Sequence, residues 1–370
     1  MVLRIRKTAN QASVMFGTVK HKVRIWSVII SGAIVFAGCS STSSEQDQQV
    51  KTAHVFHGET QGTTYEIIIA DAEVHFSGSE IDSLLAAFDA SLSTYIPSSK
   101  ISQLNTGEAY TQVVDPSGFF KTCYQNSKKV FDLTDGAFDP SVFPLVKGWG
   151  FMDNLESPLS QNEVDSILAF IGLDGHHTIS FEGDSILLTK SETAFQLDFN
   201  AIAQGYSVDV LADFLRSRGQ ENFYVEIGGE LFLEGKNRDG VDWRIGIDTP
   251  IDHSANHDVE NIISISNAAV ATSGSYRKFY EKDGKRYAHF LNPKTGYPVQ
   301  HSLLSATVIA PTCADADAYA TAFMVMGTQK TIEFVEAHPE LKIAVYLLEA
   351  DDTGEYTRTM SGGFESYLAE

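Results

Sequence analysis

Apolar positions recur along this chain with two different periods, and the change from one to the other places its elements. "YEIIIA" (65–70) is an unbroken apolar run of strand length. Across 79–95, Ile81, Leu84, Leu85, Phe88 and Leu92 return at helical spacing. Ser160 and Glu163 make a capping box ahead of Val164, Ile167, Leu168 and Ile171, which predicts a helix start there. "TISFEGDSILL" (178–188) alternates on both sides of Gly183-Asp184 and predicts a hairpin. Asn200 is the expected cap of a helix running to about Arg218. Further strands are expected near 222–234, 242–248, 262–271, 287–291, 303–310 and 342–348, with helices over 314–327 and 329–338. Hairpins outnumber strand–helix alternations. That pattern predicts an α+β fold with mixed or antiparallel sheets and packed helices, not a doubly wound one. No G-x-G-x-x-G or Walker A loop is present, so the usual nucleotide folds lack their fingerprint.

Charge changes the picture at the N-terminus. Residues 1–38 hold six of the 27 basic groups (Arg4, Arg6, Lys7, Lys20, Lys22, Arg24) and no acid. They lead into the 12-residue apolar run "IWSVIISGAIVF" (25–36), short for a membrane span and suited to a signal-peptide core. Ala37, Gly38 and Cys39 follow and resemble a bacterial lipobox, so 1–38 is expected to be a signal peptide and Cys39 the lipidated residue. Residues 39–54 would then be the lipidated cysteine and a polar tether, with the folded part at 55–370. The expected location is the bacterial cell envelope, lipid-anchored to the membrane and facing the periplasm. Without residues 1–38 the chain keeps 21 basic against 48 acidic residues, a net of −27. Such a body does not favour nucleic acid. A phosphate ligand would need local positive charge, for which a metal is the natural source. Cys123 and Cys313 could pair or stay as buried thiols; two residues fix no geometry.

Three stretches carry candidate chemistry. In "ADADAYATA" (314–322), Asp317 and Thr321 are i and i+4 and share one helix face. A carboxylate and a hydroxyl there form half of a hard-cation site, and the alanines let other backbone come close. The alternative is that Asp315, Asp317 and Thr321 serve only the helix N-terminus. In "LDFNAIAQGYSVD" (197–209), Asp198 precedes a helix start, where free N–H groups favour anions, and Gly205 permits close packing. "ATSGSYRKFYEKDGKRYAHFLNPKTGYPV" (271–299) is rich in Gly, Tyr and cations around a turn. His289, beside that turn, is its one side chain that titrates near neutrality; a structural role is the alternative.

Taken in order, nine stretches resemble the ApbE family of FAD:protein FMN transferases over about 56–350. They are "GTTYEI" (62–67), "STYIPSSKISQLN" (93–105), "DGAFDPSVFPLVKGWGF" (135–151), "LDFNAIAQGYSVD", "EIGGELFLEGKN" (226–237), "WRIGIDTP" (243–250), "ATSGSYRKFY", "HFLNPKTGYPV" and "ADADAYATA". The resemblance implies a single T-fold-like catalytic unit. It also implies Mg²⁺-dependent cleavage of FAD, with FMN passed to a Thr or Ser hydroxyl of an exported or membrane acceptor subunit and AMP released. By position, Asp317, Thr321 and the carbonyl of Ala201 resemble the metal ligands. Gln61, Tyr95, Ala137, Phe138, Asp139, Asp198, Gln204 and Leu291 resemble FAD contacts. His289 resembles the histidine assisting transfer, with Asp198 as a second candidate base. On this reading the exposed face of the 314–327 helix would complete the metal site. Two positions depart from the family: Gln61 stands where Met is frequent, and Gln204 where Lys is usual. The acceptor motif D-x-x-S/T-G-A-S/T is absent, so the flavin is expected on a partner. Water in place of the acceptor would make an FAD pyrophosphatase, and loss of catalysis an FAD-binding lipoprotein.

Overall fold

The computed structural model describes residues 53–71, 73–151, 159–248, 259–275, 279–282, 285–350, 356–361 and 363–369. The expected signal peptide, Cys39 and all but the end of the tether lie outside them. In chain order the first elements are β1 (His54–Thr60), β2 (Thr63–Ile69), α1 (Gly78–Leu92), α2 (Lys100–Thr106), β3 (Tyr110–Val114), α3 (Phe119–Leu133), α4 (Phe143–Gly148) and α5 (Gln161–Leu168). β4 (His177–Glu182), β5 (Ser185–Lys190), α6 (Ala203–Ser217), β6 (Phe223–Ile227), β7 (Glu230–Glu234) and β8 (Trp243–Asp248) follow. Then come β9 (Val259–Ile265), β10 (Ala268–Gly274), β11 (Phe279–Lys282) and β12 (Lys285–Ala288). The chain continues with β13 (Leu303–Ala310), α7 (Cys313–Met326), α8 (Thr328–Ala337), β14 (Ala344–Ala350) and β15 (Tyr356–Met360).

One eight-stranded sheet organises these elements, in the order β1-β2-β6-β7-β10-β13-β14-β15. A three-stranded sheet (β3-β5-β4) and two ribbons (β11-β12 and β8-β9) stand beside it. Every pairing among the described strands is antiparallel, as the hairpin-rich sequence predicts. The fold is α+β.

The pleat divides the large sheet's side chains into two cores. Ile67, Val225, Ala269, Ala271, Ala306 and Val308 face α6 and α7 in the larger core. Ile68, Tyr224, Val270, Ile309 and Tyr346 face the other way, onto Trp243, Ile247, Ile263 and Ile265 of the β8-β9 ribbon. Small residues at Ala269, Ala271 and Ala306 let α7 lie close to β10 and β13. α7 is apolar on most sides, as a helix buried all round must be, and its alanines at 314, 316, 318, 320 and 322 are all buried. Tyr319 and Phe323 anchor it, their rings stacked at 5.7 Å.

Three expectations change in the structure. The Asp317 face of α7 is buried rather than exposed, with Asp317 at 7%. Asn200 does not cap α6, whose cap position is Ile202; its side-chain amide instead donates to Asp198 Oδ2 at 3.3 Å. The strand expected over 262–271 is two strands. Asn267, at φ 55°, turns the chain between β9, which pairs with β8, and β10, which joins the large sheet.

Candidate active site

The site is built where α6 meets α7. A Cβ on Gly205 would lie 2.3 Å from the carbonyl oxygen of Cys313 and 2.8 Å from Asp317 Cβ, so only glycine allows this approach. The approach brings Gly205 N–H to Asp317 Oδ2 at 3.0 Å. That N–H would otherwise close the first turn of α6 onto the carbonyl of Ala201. Among the described residues, the Ala201 carbonyl accepts no backbone hydrogen bond. Thr321 lies one turn beyond Asp317, and its hydroxyl is 3.4 Å from that of Ser273 near the end of β10. The Asp317 carboxylate and the released Ala201 carbonyl are thus tied to one helix–helix contact through Gly205, with the Thr321 hydroxyl one turn further along α7. Burial pushes the Asp317 carboxyl well above the usual carboxylate range, and the Gly205 N–H only partly opposes this. A hard cation suits this donor set, because it takes oxygen ligands and retains waters or substrate oxygens in its other positions. No group of three or more His, Cys, Asp or Glu side chains positioned to hold a metal occurs among the described residues. With Asp317 the one carboxylate among these three donors, a divalent cation held here would keep one of its two charges for an anionic ligand.

Side chains also tie down the start of α7. Asp209, on α6, accepts the N–H groups of Cys313 and Ala314 at 2.8 Å each. Thr312 accepts that of Asp315 at 3.2 Å. Asp315 itself turns away and pairs with Lys129 of α3 at 3.2 Å.

A second group surrounds Asp198. Its N–H donates to the carbonyl of Pro140 at 2.7 Å, joining the 197–209 stretch to the 135–151 stretch. Its carboxylate accepts the Asn200 N–H at 2.9 Å, and burial raises its pKa to about 6. Partial burial, then the charge of Asp198, raises the Tyr95 phenol, and the residue remains 69% exposed. Burial raises the Cys123 thiol, opposed by a hydrogen bond with Ser127 and reinforced by the charges of Asp317 and Asp198. Cys123 and Cys313 are both free. Phe138 is packed in the core and Ala137 is half-buried. The Asp139 carboxylate turns inward onto Ser141 N–H and Oγ at 2.8 and 2.6 Å, and its pKa is raised to about 6 by burial.

Gln61 occupies the β1–β2 turn at φ 52°, followed by Gly62 at φ 75°, the two positive φ values a type I′ hairpin turn needs. Its Oε1 is 3.5 Å from Ser207 Oγ, which also donates to the Gln204 carbonyl at 2.7 Å. Its Nε2 is buried with no protein partner. Gln204 Nε2 donates to the Ile227 carbonyl at 3.1 Å and fills the space a side chain at Gly228 would take. Leu291 forms a lone bridge with Pro298, in a turn held by Trp149 Nε1 donating to the Gly296 carbonyl at 2.8 Å. His289 leads into that turn with its ring 4.1 Å from the ring of Phe290.

Asn105 and Lys190 were not singled out from the sequence. The Asn105 amide both donates to and accepts from the backbone of Leu197 at 2.7 Å, standing in for a strand partner beside Asp198. The buried Lys190 ammonium donates to the carbonyls of Leu104, Asn105, Gly107 and Thr193. Asn105 ends the stretch "STYIPSSKISQLN"; Lys190 leaves no signal, since it ends an ordinary strand. A separate cavity of about 550 Å³ opens on the opposite sheet face beside Tyr224, Trp243 and Thr272 and holds none of the candidate ligands.

Fold and site thus define an α+β protein with an oxygen-donor centre between two helices. The ApbE family model matches residues 61–346. The FAD:protein FMN transferase of Vibrio cholerae is 36% identical over 94% of this chain and 100% of its own length. That of Haemophilus influenzae is 34% identical over 90% and 96%. The solved flavin transferase ApbE from Vibrio cholerae superposes with a TM-score of 0.74, at 34% identity, covering 86% of this chain and 99% of that one. The apo flavinyl transferase ApbE of Pseudomonas stutzeri gives 0.75, at 31% identity, covering 86% and 98%. The chain belongs to the ApbE family.

Proposed function

We propose that this chain transfers FMN from FAD to a Thr or Ser hydroxyl of a partner protein, releasing AMP, with Mg²⁺ held by Asp317, Thr321 and the Ala201 carbonyl. Family membership makes it a flavin transferase. The observation that carries the finer reading is the diversion of Gly205 N–H to Asp317, which frees the Ala201 carbonyl beside a buried carboxylate. Bound there, Mg²⁺ would offset the pyrophosphate charge and polarise the FMN phosphoryl group.

The chain's own residues supply position. Tyr95 offers an aromatic face, and Asp198, ionised above about pH 6, accepts from a ligand hydroxyl. Gln61 Nε2, a buried donor with no protein acceptor, suits an acceptor atom of FAD. Gln204 is a neutral amide whose Nε2 donates to the Ile227 carbonyl, so it adds no positive charge where the family usually has Lys. The acceptor hydroxyl oxygen bonds to the FMN phosphorus, and the bond from that phosphorus to the bridging oxygen breaks. AMP leaves with the bridging oxygen, and the hydroxyl proton passes to His289. Cys39 lipidation would hold this unit at the periplasmic face of a membrane, beside an exported or membrane acceptor subunit.

His289→Asn is expected to lower the transfer rate by about 10²–10⁴-fold, the usual contribution of a positioned acid–base group, and to leave FAD binding unchanged. Transfer kinetics and flavin fluorescence titration check the two parts. AMP formation measured with and without acceptor tests the reaction class. AMP that needs the acceptor supports transfer; AMP formed equally without it makes the enzyme a pyrophosphatase.

A further inference from the structure

Asp209 is a half-buried residue whose carboxylate has no role in the chemistry above. Burial raises its pKa to about 7, opposed by the N–H groups of Ala314 and Cys313. A carboxylate kept at that cost, one helical turn after Gly205 on α6, calls for a function. The two residues grip α7 at successive turns. Asp209 takes the N–H groups of Cys313 and Ala314, and Gly205 gives its own N–H to Asp317. Thr312 caps the same end of α7 through Asp315 N–H but from within α7's own segment, so it adds no link to α6.

We propose that Asp209 is a positioning residue for the metal centre. Its two hydrogen bonds fix the register of α7 on α6, and so the placement of Asp317 and Thr321 against the Ala201 carbonyl. This rests on the metal reading given above. The mechanism is geometric. Two bonds to consecutive N–H groups fix both the rotation and the advance of a helix end, whereas one bond leaves it a pivot. An amide in place of the carboxylate has one acceptor oxygen and presents its NH₂ to the second N–H, so one of the two must part. α7 would stay packed through Tyr319 and Phe323, with its ligands displaced.

The test titrates Mn²⁺ alone into the purified full chain and reads free Mn²⁺ by electron paramagnetic resonance. Wild type, Asp209→Asn and Thr312→Ala are compared at a temperature where circular dichroism shows each folded. Asp209→Asn is expected to weaken Mn²⁺ binding by about 10–100-fold, the range for partners that orient metal ligands. Thr312→Ala removes a cap of the same helix end and is expected to bind Mn²⁺ like wild type. Equal losses in the two variants, or no loss in Asp209→Asn, would overturn the inference by reducing Asp209 to a helix cap. Absence of Mn²⁺ binding by wild type would instead overturn the metal reading beneath it. A measurement on the unaltered chain guards against a variant that does not fold. Saturating Mg²⁺ should slow hydrogen exchange at the amides of Cys313 and Ala314, and unchanged exchange there would count against the inference.

Discussion

Asp317→Asn is expected to lower metal-dependent FMN transfer by about 10³-fold or more while leaving the protein folded. About 4 kcal/mol of transition-state stabilisation is needed for that factor, at 1.36 kcal/mol per tenfold, and a correctly placed metal on a transferring phosphoryl group supplies several. The amide keeps the shape of the side chain, and its oxygen can still accept the Gly205 N–H now held at 3.0 Å. What it loses is the negative charge that would hold the cation. Burial already raises the carboxyl well above its ordinary range. Removing the charge therefore relieves a desolvation cost, and the melting temperature should hold or rise. A variant with unchanged melting and transfer within tenfold of wild type would remove Asp317 from the metal site.

Gly205→Ala should behave in the opposite way, losing fold and activity together. In an ordinary helix this change stabilises by roughly 1 kcal/mol. Here the new Cβ would meet the Cys313 carbonyl oxygen at 2.3 Å and its carbon at 2.7 Å. These are backbone atoms, so relief requires α6 and α7 to separate. Overpacking costs about 1–3 kcal/mol, occasionally more, and this position should fall at the upper end. Separation also breaks the Gly205–Asp317 bond, and transfer should fall about as far as in Asp317→Asn. Thermal unfolding and transfer rate measured on one sample check both effects. Unchanged melting would mean that the helices are not in the contact described.

Several features of this architecture are legible in the sequence because they are local. The Ser160–Glu163 capping box forms as its spacing predicts, and the Gly183-Asp184 hairpin falls between β4 and β5. Periodicity could place Asp317 and Thr321 on one face but could not say what covers that face. α7 is alanine-rich on all sides, and only its packing against α6, β10 and β13 buries Asp317. Asn200 has the chemistry of a cap, but the nearby Asp198 carboxylate takes its amide, and the helix starts later. The 262–271 run reads as one strand because both halves are apolar. The left-handed turn at Asn267 sends them to different sheets.

The supporting residues were hidden for a different reason. Asn105 acts on Leu197, 92 positions away, and Asp209 acts on Cys313, 104 positions away. Neither pairing has a sequence period. Both bonds join motifs that the sequence presents as separate stretches, so the motifs act as parts of one scaffold. The sequence order of the motifs carried the family resemblance; the links between them emerge only when the chain is folded.

Movement of FMN from FAD to a protein hydroxyl through a centre containing Asp317 can be weighed. Its most direct measurement incubates the purified protein with FAD, Mg²⁺ and a Thr-bearing acceptor subunit, then weighs the acceptor intact by mass spectrometry. The expected acceptor is heavier by FMN less water, with the gain lost in EDTA and in Asp317→Asn. An acceptor that stays unmodified while FAD is consumed to FMN and AMP, or a gain that survives both treatments, would contradict it.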